Sequence, residues 1–373
     1  MTTVHDLESA MQLIAFQAYA AEWDNVGLLA GSSSWPLNKI MLTIDLTQEV
    51  LDEAREVGAE AIVAYHPPIF EPLKTLTDRD EKSRLVMEAI HAGIALYSPH
   101  TALDAVPGGV NDWLAEAFGE SASEPLKPNE LIPWGERRKI VTIVPAEFVD
   151  SVSEAMANAG AGHIGFYTHC SFRITGQGTF IARDEATPFV GGKNKLETVD
   201  EVRLEMVSSH PCLGKVIQAL RLAHPYEEPP VEVYQLLPRP QADSGEGRLL
   251  RLNQSCSLED IIDRLKTHLN IDHLKVAIGR NAPATYEVIG LCPGAGGSLL
   301  ENAIQEEAQL YLTGEMRHHE VLDAIARGCT IILAGHTNTE RGYLPRLAKR
   351  LGEIMNETTI MISKADQSPF EVR

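Results

Sequence analysis

Short, β-rich apolar runs alternate with helix-length amphipathic segments at both ends of the chain, and this alternation limits the fold more than any other feature. The apolar runs lie at 39–46, 61–66 and 94–100 near the start and at 286–292, 309–315 and 329–336 near the end. Apolar spacing in the segments between them is typical of amphipathic helices. Strands that alternate with helices pair in parallel and are covered by those helices. The pattern therefore predicts an α/β body with a mixed or parallel sheet, built from both chain ends.

The middle of the chain follows a different order. A chain of 373 residues has room for two or three compact units of about 150 residues each. Between two stretches rich in proline and polar residues, the pattern reads strand, helix, strand, strand, helix, strand, which is typical of a ferredoxin-like split βαβ unit. We therefore predict an α+β domain inserted at 125–245, which divides the α/β body into 1–124 and 246–373.

The charge balance disfavours several classes of partner. The chain has 52 acidic and 32 basic residues, a net charge of -20, which repels nucleic-acid phosphates. No apolar run reaches the roughly 18 residues that a membrane-spanning helix needs, and the first basic residue is Lys39, so neither a span nor a secretory signal is predicted. The five cysteines include no C-x-x-C pair, which disfavours a disulfide scaffold or a zinc ribbon. We expect a cytoplasmic protein without general nucleic-acid or membrane binding.

Three of the predicted strands end in histidine, at His66, His100 and His336. Ligands bind at the carboxyl ends of strands in parallel α/β sheets, so we expect these side chains to converge. A carboxylate follows two of them by four residues, at Asp104 and Glu340, and residues four apart share one face of a helix. Imidazole nitrogen with carboxylate oxygen is a ligand set for Zn, Fe or Mn. The alternative is hydrogen-bonded core or cap histidines, but three at one sheet edge favour a metal site.

Two further clusters are candidates for the lining of the same pocket. A fourth predicted strand end carries Glu315 and His319, four residues apart, although a solvated helix start is the stronger explanation for them. Trp23, Asp24 and Asn25 follow the first predicted helix, where an ordinary turn is the alternative. We treat these five residues and Tyr65 as candidates for the lining of the pocket, with Glu315 and His319 as second-rank candidates for metal ligation.

Six motifs together resemble the Ngg-interacting-factor-three family, whose bacterial members are often named GTP cyclohydrolase 1 type 2 homologues. The motifs are AEWDNVGL, YHPPIF, HTALD, AHPYEEP, TGEMRHHE and GHTNTE. They extend over essentially the whole chain. The resemblance implies a two-part α/β body that binds two divalent metal ions, an inserted ferredoxin-like domain of the PII type, and a homo-oligomer in the form of a toroidal hexamer.

The resemblance also implies which residues hold the ions. Carried over by motif, the ligands are His66, Asp104, His336 and Glu340, with His100 close by. Tyr65 departs from the family pattern, because many relatives have two consecutive histidines where this chain has Tyr65 and His66. A neutral phenol is a poor metal ligand. We therefore expect the second ion to bind weakly, or its ligand shell to be completed by His100 or water.

The function expected from this site is metal-dependent hydrolysis. Two ions in one site activate a water and polarise a carbonyl, amidine or phosphoryl centre, with Asp104 or Glu340 bridging them. Such a protein would be a cyclohydrolase-like or phosphoester hydrolase acting on a small or nucleotide-like substrate. The alternative is a non-catalytic metal-binding or effector-sensing assembly protein that acts through its PII-type insert.

Overall fold

The computed structural model describes residues 2–131 and 136–370, which divide into two compact units. The first unit joins both ends of the chain, Met1–Asn129 and Gln241–Arg373, and the second is Glu130–Pro240. No helix within the described ranges is both long and apolar enough to span a bilayer.

Helices and strands alternate through most of the chain. The first part contains α1 Val4–Ile14, β1 Gly27–Ala30, β2 Lys39–Thr43, α2 Gln48–Val57, β3 Ala61–Ala64, α3 Glu81–His91, β4 Ala95–Ser98, α4 His100–Ala105, α5 Val110–Ala115, β5 Ser121–Glu124 and β6 Lys127–Leu131. The middle contains β7 Arg138–Pro145, α6 Val149–Asn158, β8 Phe172–Ile181, β9 Leu196–Ser208, α7 Leu213–Ala223 and β10 Val231–Gln235. The last part contains β11 Arg239–Glu246, β12 Arg248–Cys256, α8 Leu258–Leu269, β13 Lys275–Ala277, β14 Tyr286–Cys292, α9 Leu300–Gln305, β15 Leu310–Thr313, α10 His318–Ala326, β16 Thr330–Leu333, α11 Asn338–Arg341, α12 Leu344–Ile354 and β17 Thr359–Ile362.

The first unit contains two mixed sheets rather than one. The five-stranded sheet has the order β1-β4-β3-β2-β17, in which only β1 runs antiparallel to its neighbour. The six-stranded sheet has the order β13-β16-β15-β14-β12-β5, with a parallel centre of β14, β15 and β16 and antiparallel strands at both edges. A mixed parallel and antiparallel α/β architecture is therefore confirmed. Helices follow the parallel strands because a parallel connection needs a crossover.

Both sheets of the first unit contribute to one hydrophobic core. Leu42 and Val63 from the five-stranded sheet belong to the same buried cluster as Ile289 and Leu312 from the six-stranded sheet. The neighbouring side chain Ile62 belongs to a second cluster with residues of α2 and α3, because successive side chains of a strand point to opposite faces. Strand β3 is consequently buried on both faces, as is typical of a central parallel strand.

Local sequence signals explain where the helices begin and end. At the start of α2, the Thr47 side chain accepts a hydrogen bond from the Val50 backbone N–H, which caps an otherwise unpaired donor. The helix ends at Gly58, whose φ of 67° lies in the left-handed region that glycine adopts at little cost. This places β3 directly after the turn.

The second unit has its own sheet and core. Its elements follow the order β7-α6-β8-β9-α7-β10, and its four strands pair antiparallel in the order β10-β7-β9-β8. Helices α6 and α7 pack on the strands through a cluster that includes Ile140, Met156, Leu204 and Leu220. A self-contained core of this kind is what an independent unit requires.

Candidate metal centre

Three histidines gather just beyond the carboxyl ends of strands in the first unit. His66 follows β3, His100 begins α4 after β4, and His336 follows β16. The ring centroids of His66 and His100 are 5.5 Å apart, and those of His66 and His336 are 5.2 Å apart. The strands end two or three residues earlier than the sequence pattern predicts, so the histidines occupy the loops and first helical turns above the sheets rather than the strands themselves.

Glu340 completes a compact group with two of these imidazoles. It lies on α11, is only 3% exposed, and directs Oε2 to 3.4 Å from Nε2 of His66 and Oε1 to 3.4 Å from Nε2 of His336. One ligand atom from each of the three residues lies within 4.8 Å of the others. Within the described parts of the chain, this is the group whose spacing suits a metal ion.

The other nitrogen of each imidazole in the group is held by a carboxylate. Nδ1 of His66 lies 2.9 Å from Asp45 Oδ1, and Nδ1 of His336 lies 2.9 Å from Glu315 Oε1. Because an ionised carboxylate only accepts hydrogen bonds, the proton of each neutral imidazole is on Nδ1 and the lone pair is on Nε2. Metal-ligating histidines are oriented in this way.

Unsatisfied polar atoms test whether a cation fits this group. Nε2 of His66 and Oε2 of Glu340 are buried and lack a hydrogen-bond partner, since their 3.4 Å contact does not have hydrogen-bond geometry. Burial by itself lowers the pKa of His66, but Asp45 and Glu340 outweigh it and raise that pKa to about 10. The site therefore attracts positive charge strongly, and these donors fit a divalent metal ion that replaces the proton.

Asp104 and Tyr65 lie together beside the group. The Tyr65 hydroxyl donates to Asp104 Oδ1 at 2.5 Å. Burial raises the pKa of Asp104 to about 7, although the Tyr65 hydrogen bond and the charge of His100 oppose that rise. The phenol of Tyr65 is fully buried, and burial raises its pKa well above the usual value, so it stays protonated and acts as a donor. Asp104 and His100 are outside the 4.8 Å group, but both line the same cavity.

The cavity that contains these residues is large enough for a small molecule. Its volume is about 430 Å³, and Trp23, Phe70 and Lys82 share its walls with the histidines. Cys292 also lines it, but burial raises the pKa of this thiol far above neutrality, and the following Pro293 has no N–H to stabilise an oxyanion. Covalent catalysis by cysteine is therefore disfavoured.

The remaining sequence candidates have distinct positions. Asp24 Oδ1 lies 2.8 Å from Nδ1 of His100, so it orients that imidazole. Asn25 donates from Nδ2 to the carbonyl of Ile69 at 2.5 Å and joins two loops. His319 lies on α10, with its ring 5.7 Å from that of His318, and is absent from the cavity lining that the structure describes.

Asp45 was not among the sequence candidates, whereas Gly294 belongs to the glycine-rich loop CPGAGG at 292–297, which the sequence favours at most as lining of the substrate site. Asp45 lies two residues beyond β2, so the strand-end rule that selected the histidines also applies to it. Gly294 has a φ of 62°, and a Cβ there would lie 2.6 Å from Glu340 Oε1 and 3.1 Å from His336 Nε2. The glycine-rich loop thus allows the backbone to approach the group closely.

Comparison with known proteins identifies the family. The model of the Duf34/NIF3 (NGG1p interacting factor 3) family matches residues 2–369. A Bacillus subtilis protein named GTP cyclohydrolase 1 type 2 homolog is 35% identical over 358 residues, which cover 95% of this chain and 94% of that protein. Human NIF3-like protein 1 is 35% identical over 374 residues, which cover 98% of this chain and 91% of that protein.

Solved structures agree with this assignment. The crystal structure of a Bacillus cereus protein related to NIF3 has a TM-score of 0.71 and 31% identity, and the match covers 100% of this chain and 99% of that chain. Staphylococcus aureus protein SA1388 shares the fold, with a TM-score of 0.81 at 24% identity and the same coverage of both chains. The chain belongs to the Duf34/NIF3 family.

Proposed function

We propose that this protein is a metal-dependent hydrolase with a dinuclear site. The observation that carries the proposal is the pair of imidazoles whose Nδ1 atoms are held by Asp45 and Glu315 and whose Nε2 atoms face the buried Glu340. Imidazoles that are held through Nδ1 and present Nε2 to a carboxylate are oriented to bind a metal ion. The adjoining cavity of about 430 Å³ leaves room for a small substrate, as a catalytic rather than a structural metal site requires.

The proposed ligands follow the geometry of the site. His66, His336 and Glu340 hold one divalent ion, and Asp104 with His100 contributes to the second. Zn, Fe and Mn are the ions that this set of nitrogen and oxygen donors suits. A bound divalent ion supplies Lewis acidity, which polarises a carbonyl or phosphoryl oxygen and acidifies a water.

The chain's own residues orient and position the reacting groups. Asp45 and Glu315 fix the tautomer and direction of the two imidazoles. Glu340 directs one oxygen toward each imidazole, so it is the first catalytic candidate and would hold an ion together with His66 and His336. Asp104 is the second catalytic candidate, and the Tyr65 hydroxyl occupies its Oδ1 and leaves Oδ2 for other contacts.

The substrate class follows from the cavity and the relatives. A small or nucleotide-like molecule fits the volume, and the Bacillus subtilis relative is named for a nucleotide cyclohydrolase. The reaction that we propose is cyclohydrolase-like, or the hydrolysis of a phosphoester or amidine. We further propose that the protein acts in the cytoplasm and does not bind membranes. Its net charge of -20 supports the additional proposal that it has no general affinity for nucleic acid.

Metal content and hydrolysis test this proposal together. Protein purified without chelator is analysed by mass spectrometry for metals and assayed on nucleotides and phosphoesters, as wild type, His336→Ala and Glu340→Ala. Glu353→Ala, which changes an exposed carboxylate on α12, is the matched control. We expect about two ions per chain in wild type and control, as a dinuclear site requires, and loss of both ions and activity in the two site variants. Hydrolysis that survives loss of the metal would contradict the proposal.

A second function is favoured by a different part of the chain. The unit Glu130–Pro240 contains a cavity of about 390 Å³ of its own, lined by Phe180, Phe189 and Tyr226. If this insert is a PII-type domain, the protein is a non-catalytic metal-binding or effector-sensing assembly protein, with a toroidal hexamer as its form. One ion or none per wild-type chain, with no hydrolysis and a mass of six chains by light scattering, would favour this function.

A further inference from the structure

Two large aromatic side chains are exposed at the wall of the metal-site cavity. Trp23 is 61% exposed and Phe70 is 44% exposed, and both line the cavity that contains His66 and His336. Their ring centroids are 5.9 Å apart, with an angle of 53° between the planes, so they form a tilted pair and not a closed stack. Exposed aromatic surface next to polar groups in a concave site is typical of ligand contact.

The fold holds this aromatic pair in place. The Asn25 side chain, two residues after Trp23, donates to the carbonyl of Ile69, one residue before Phe70, and so ties the two loops together. Both rings also pack against the imidazole of His100, with centroid distances of 6.1 Å for Trp23 and 6.4 Å for Phe70.

The same loop is anchored on its other side by Asp24. Its carboxylate contacts Nδ1 of His100 at 2.8 Å and accepts hydrogen bonds from the backbone N–H and hydroxyl of Thr101. The loop that carries Trp23 is therefore held by a buried polar anchor, although the Trp23 side chain itself is exposed.

We propose that Trp23 and Phe70 form a stacking subsite for the planar ring of an anionic substrate. Lys82 also lines the cavity, and among its described lining residues it is the one lysine or arginine. Its ammonium group takes the negatively charged part of the substrate, while the ring lies against the exposed face of Trp23. The inference rests on the proposed function, because it assigns a substrate class and two specificity-determining residues to the same site.

Two parts of one cavity recognise different parts of the substrate. The group of His66, His336 and Glu340 is polar and suits an ion, and it offers nothing that distinguishes a ring-bearing substrate from an acyclic one. A π face supplies that discrimination, because stacking of a base on an aromatic side chain strengthens binding by about 5- to 150-fold. The aromatic pair thus selects for a ring without contacting the reacting atoms.

Direct binding measurements on the full chain test the subsite. Guanosine 5′-monophosphate and ribose 5-phosphate, which carries the phosphate but no base, are titrated calorimetrically into metal-loaded and chelator-treated protein. The variants are Trp23→Leu, Trp23→Phe, Phe70→Leu and Lys82→Gln. The control is Phe16→Leu, because Phe16 is 46% exposed and pairs with Tyr19 at 5.6 Å, but is not among the residues that line this cavity.

The expected results separate the ring from the phosphate. Trp23→Leu weakens binding of guanosine 5′-monophosphate about 10-fold, in line with the loss of one stacked base, and leaves ribose 5-phosphate unchanged. Trp23→Phe keeps most of the affinity because a π face remains. Lys82→Gln weakens the binding of both probes. Phe16→Leu changes the binding of neither probe.

Two outcomes would overturn the subsite. One is equal affinity of the wild type for the two probes, and the other is unchanged nucleotide binding in both Trp23→Leu and Phe70→Leu. The proposed function fails in a different way, by the absence of bound metal or of hydrolysis, while ring-dependent binding to chelator-treated protein persists. Circular dichroism confirms that each variant is folded, and Phe70→Leu keeps the test valid if Trp23→Leu is unstable.

Discussion

His66 in the first unit and His224 in the second unit have opposite kinds of surroundings. In the unit built from the chain ends, His66 contacts the carboxylates of Asp45 and Glu340, and its pKa rises to about 10 although burial opposes this. In the unit Glu130–Pro240, burial lowers the pKa of His224 below its usual value. The first imidazole is surrounded by negative charge and the second is kept neutral.

The contacts of His224 show what a structural histidine looks like in this protein. Its Nε2 donates to the carbonyl of Ile143 at 2.9 Å, and its Nδ1 accepts the backbone N–H of Tyr226 at 3.1 Å. Both nitrogens are satisfied by backbone groups, so no lone pair is left for an ion. The carboxylates that hold Nδ1 and face Nε2, and not the presence of histidine, distinguish the candidate metal centre.

The largest effect is expected when the negative charge of Glu340, which faces the imidazoles of His66 and His336, is removed. Glu340→Gln keeps the size of the side chain but loses the carboxylate that faces Nε2 of His66 and of His336. We expect metal affinity to fall by more than about 100-fold, since even outer partners of a ligand are worth about 10- to 100-fold.

Equilibrium dialysis against Zn²⁺ measures this change, and Glu201→Gln is the matched control. Glu201 lines the cavity of the second unit and accepts a hydrogen bond from the Tyr226 hydroxyl at 2.6 Å. Zn²⁺ affinity should not change in this variant. Equal losses of Zn²⁺ affinity in Glu340→Gln and Glu201→Gln would show that the metal does not bind specifically at the first unit's site.

The next effect tests the carboxylates behind the imidazoles. Asp45→Asn and Glu315→Gln leave the Nε2 atoms in place but weaken the hold on Nδ1. We expect each to lower metal affinity by about 10- to 100-fold. Asp52→Asn, at an exposed aspartate of α2, should bind as wild type does. Wild-type affinity in both site variants would mean that the imidazoles need no support from these carboxylates.

A smaller effect separates backbone strain from contact with the site. Gly58 and Gly294 have similar φ values, 67° and 62°, but a Cβ at Gly58 meets nothing within 4 Å, whereas a Cβ at Gly294 meets Glu340 Oε1 at 2.6 Å. Each Gly→Ala change should lower the free energy of unfolding by about 1–2 kcal/mol through the left-handed conformation.

Only the alanine at position 294 should also weaken metal binding, because it displaces the Glu340 carboxylate. Urea unfolding and Zn²⁺ dialysis on Gly58→Ala and Gly294→Ala measure the two effects separately. An equal affinity for Zn²⁺ in both variants would show that the glycine-rich loop does not shape the site.

The central parallel strands and the strand-end histidines could be predicted from the sequence. Strand β14 at Tyr286–Cys292 coincides with the predicted run, because an apolar run of this length bounded by polar residues is typical of a strand. The single sheet implied by the pattern is in fact two. The edge strands β1, β5 and β13 are only three or four residues long and partly exposed, so their sequence signal is too short to identify them as strands.

The partners of the site residues could not be predicted from the sequence. Asp24 and His100 are 76 positions apart and Asp45 and His66 are 21 apart, and no local periodicity links such pairs. Chain order also cannot show that Glu315 supports His336 while the neighbouring His319 lies elsewhere. These contacts depend on the packing of separate strands and loops, which the pattern of a single segment does not contain.

The smallest effect follows from the neutral histidine of the second unit. Because the pKa of His224 is lowered on folding, the unfolded chain binds more protons than the folded chain below about pH 6.5, the usual pKa of histidine. The contribution of this group to stability is thus complete above that pH and is lost as the pH falls below it, by at most about 1.4 kcal/mol per pH unit. His224→Gln removes the titrating group. The midpoint of urea unfolding, followed by circular dichroism, should therefore depend less on pH than in wild type between about pH 7.5 and pH 5.5, the range over which an unshifted histidine titrates. His210→Gln changes an exposed histidine of the same unit and should retain the wild-type dependence. If both variants follow wild type, burial does not lower the pKa of His224, and the contrast with His66 would rest on the metal centre alone.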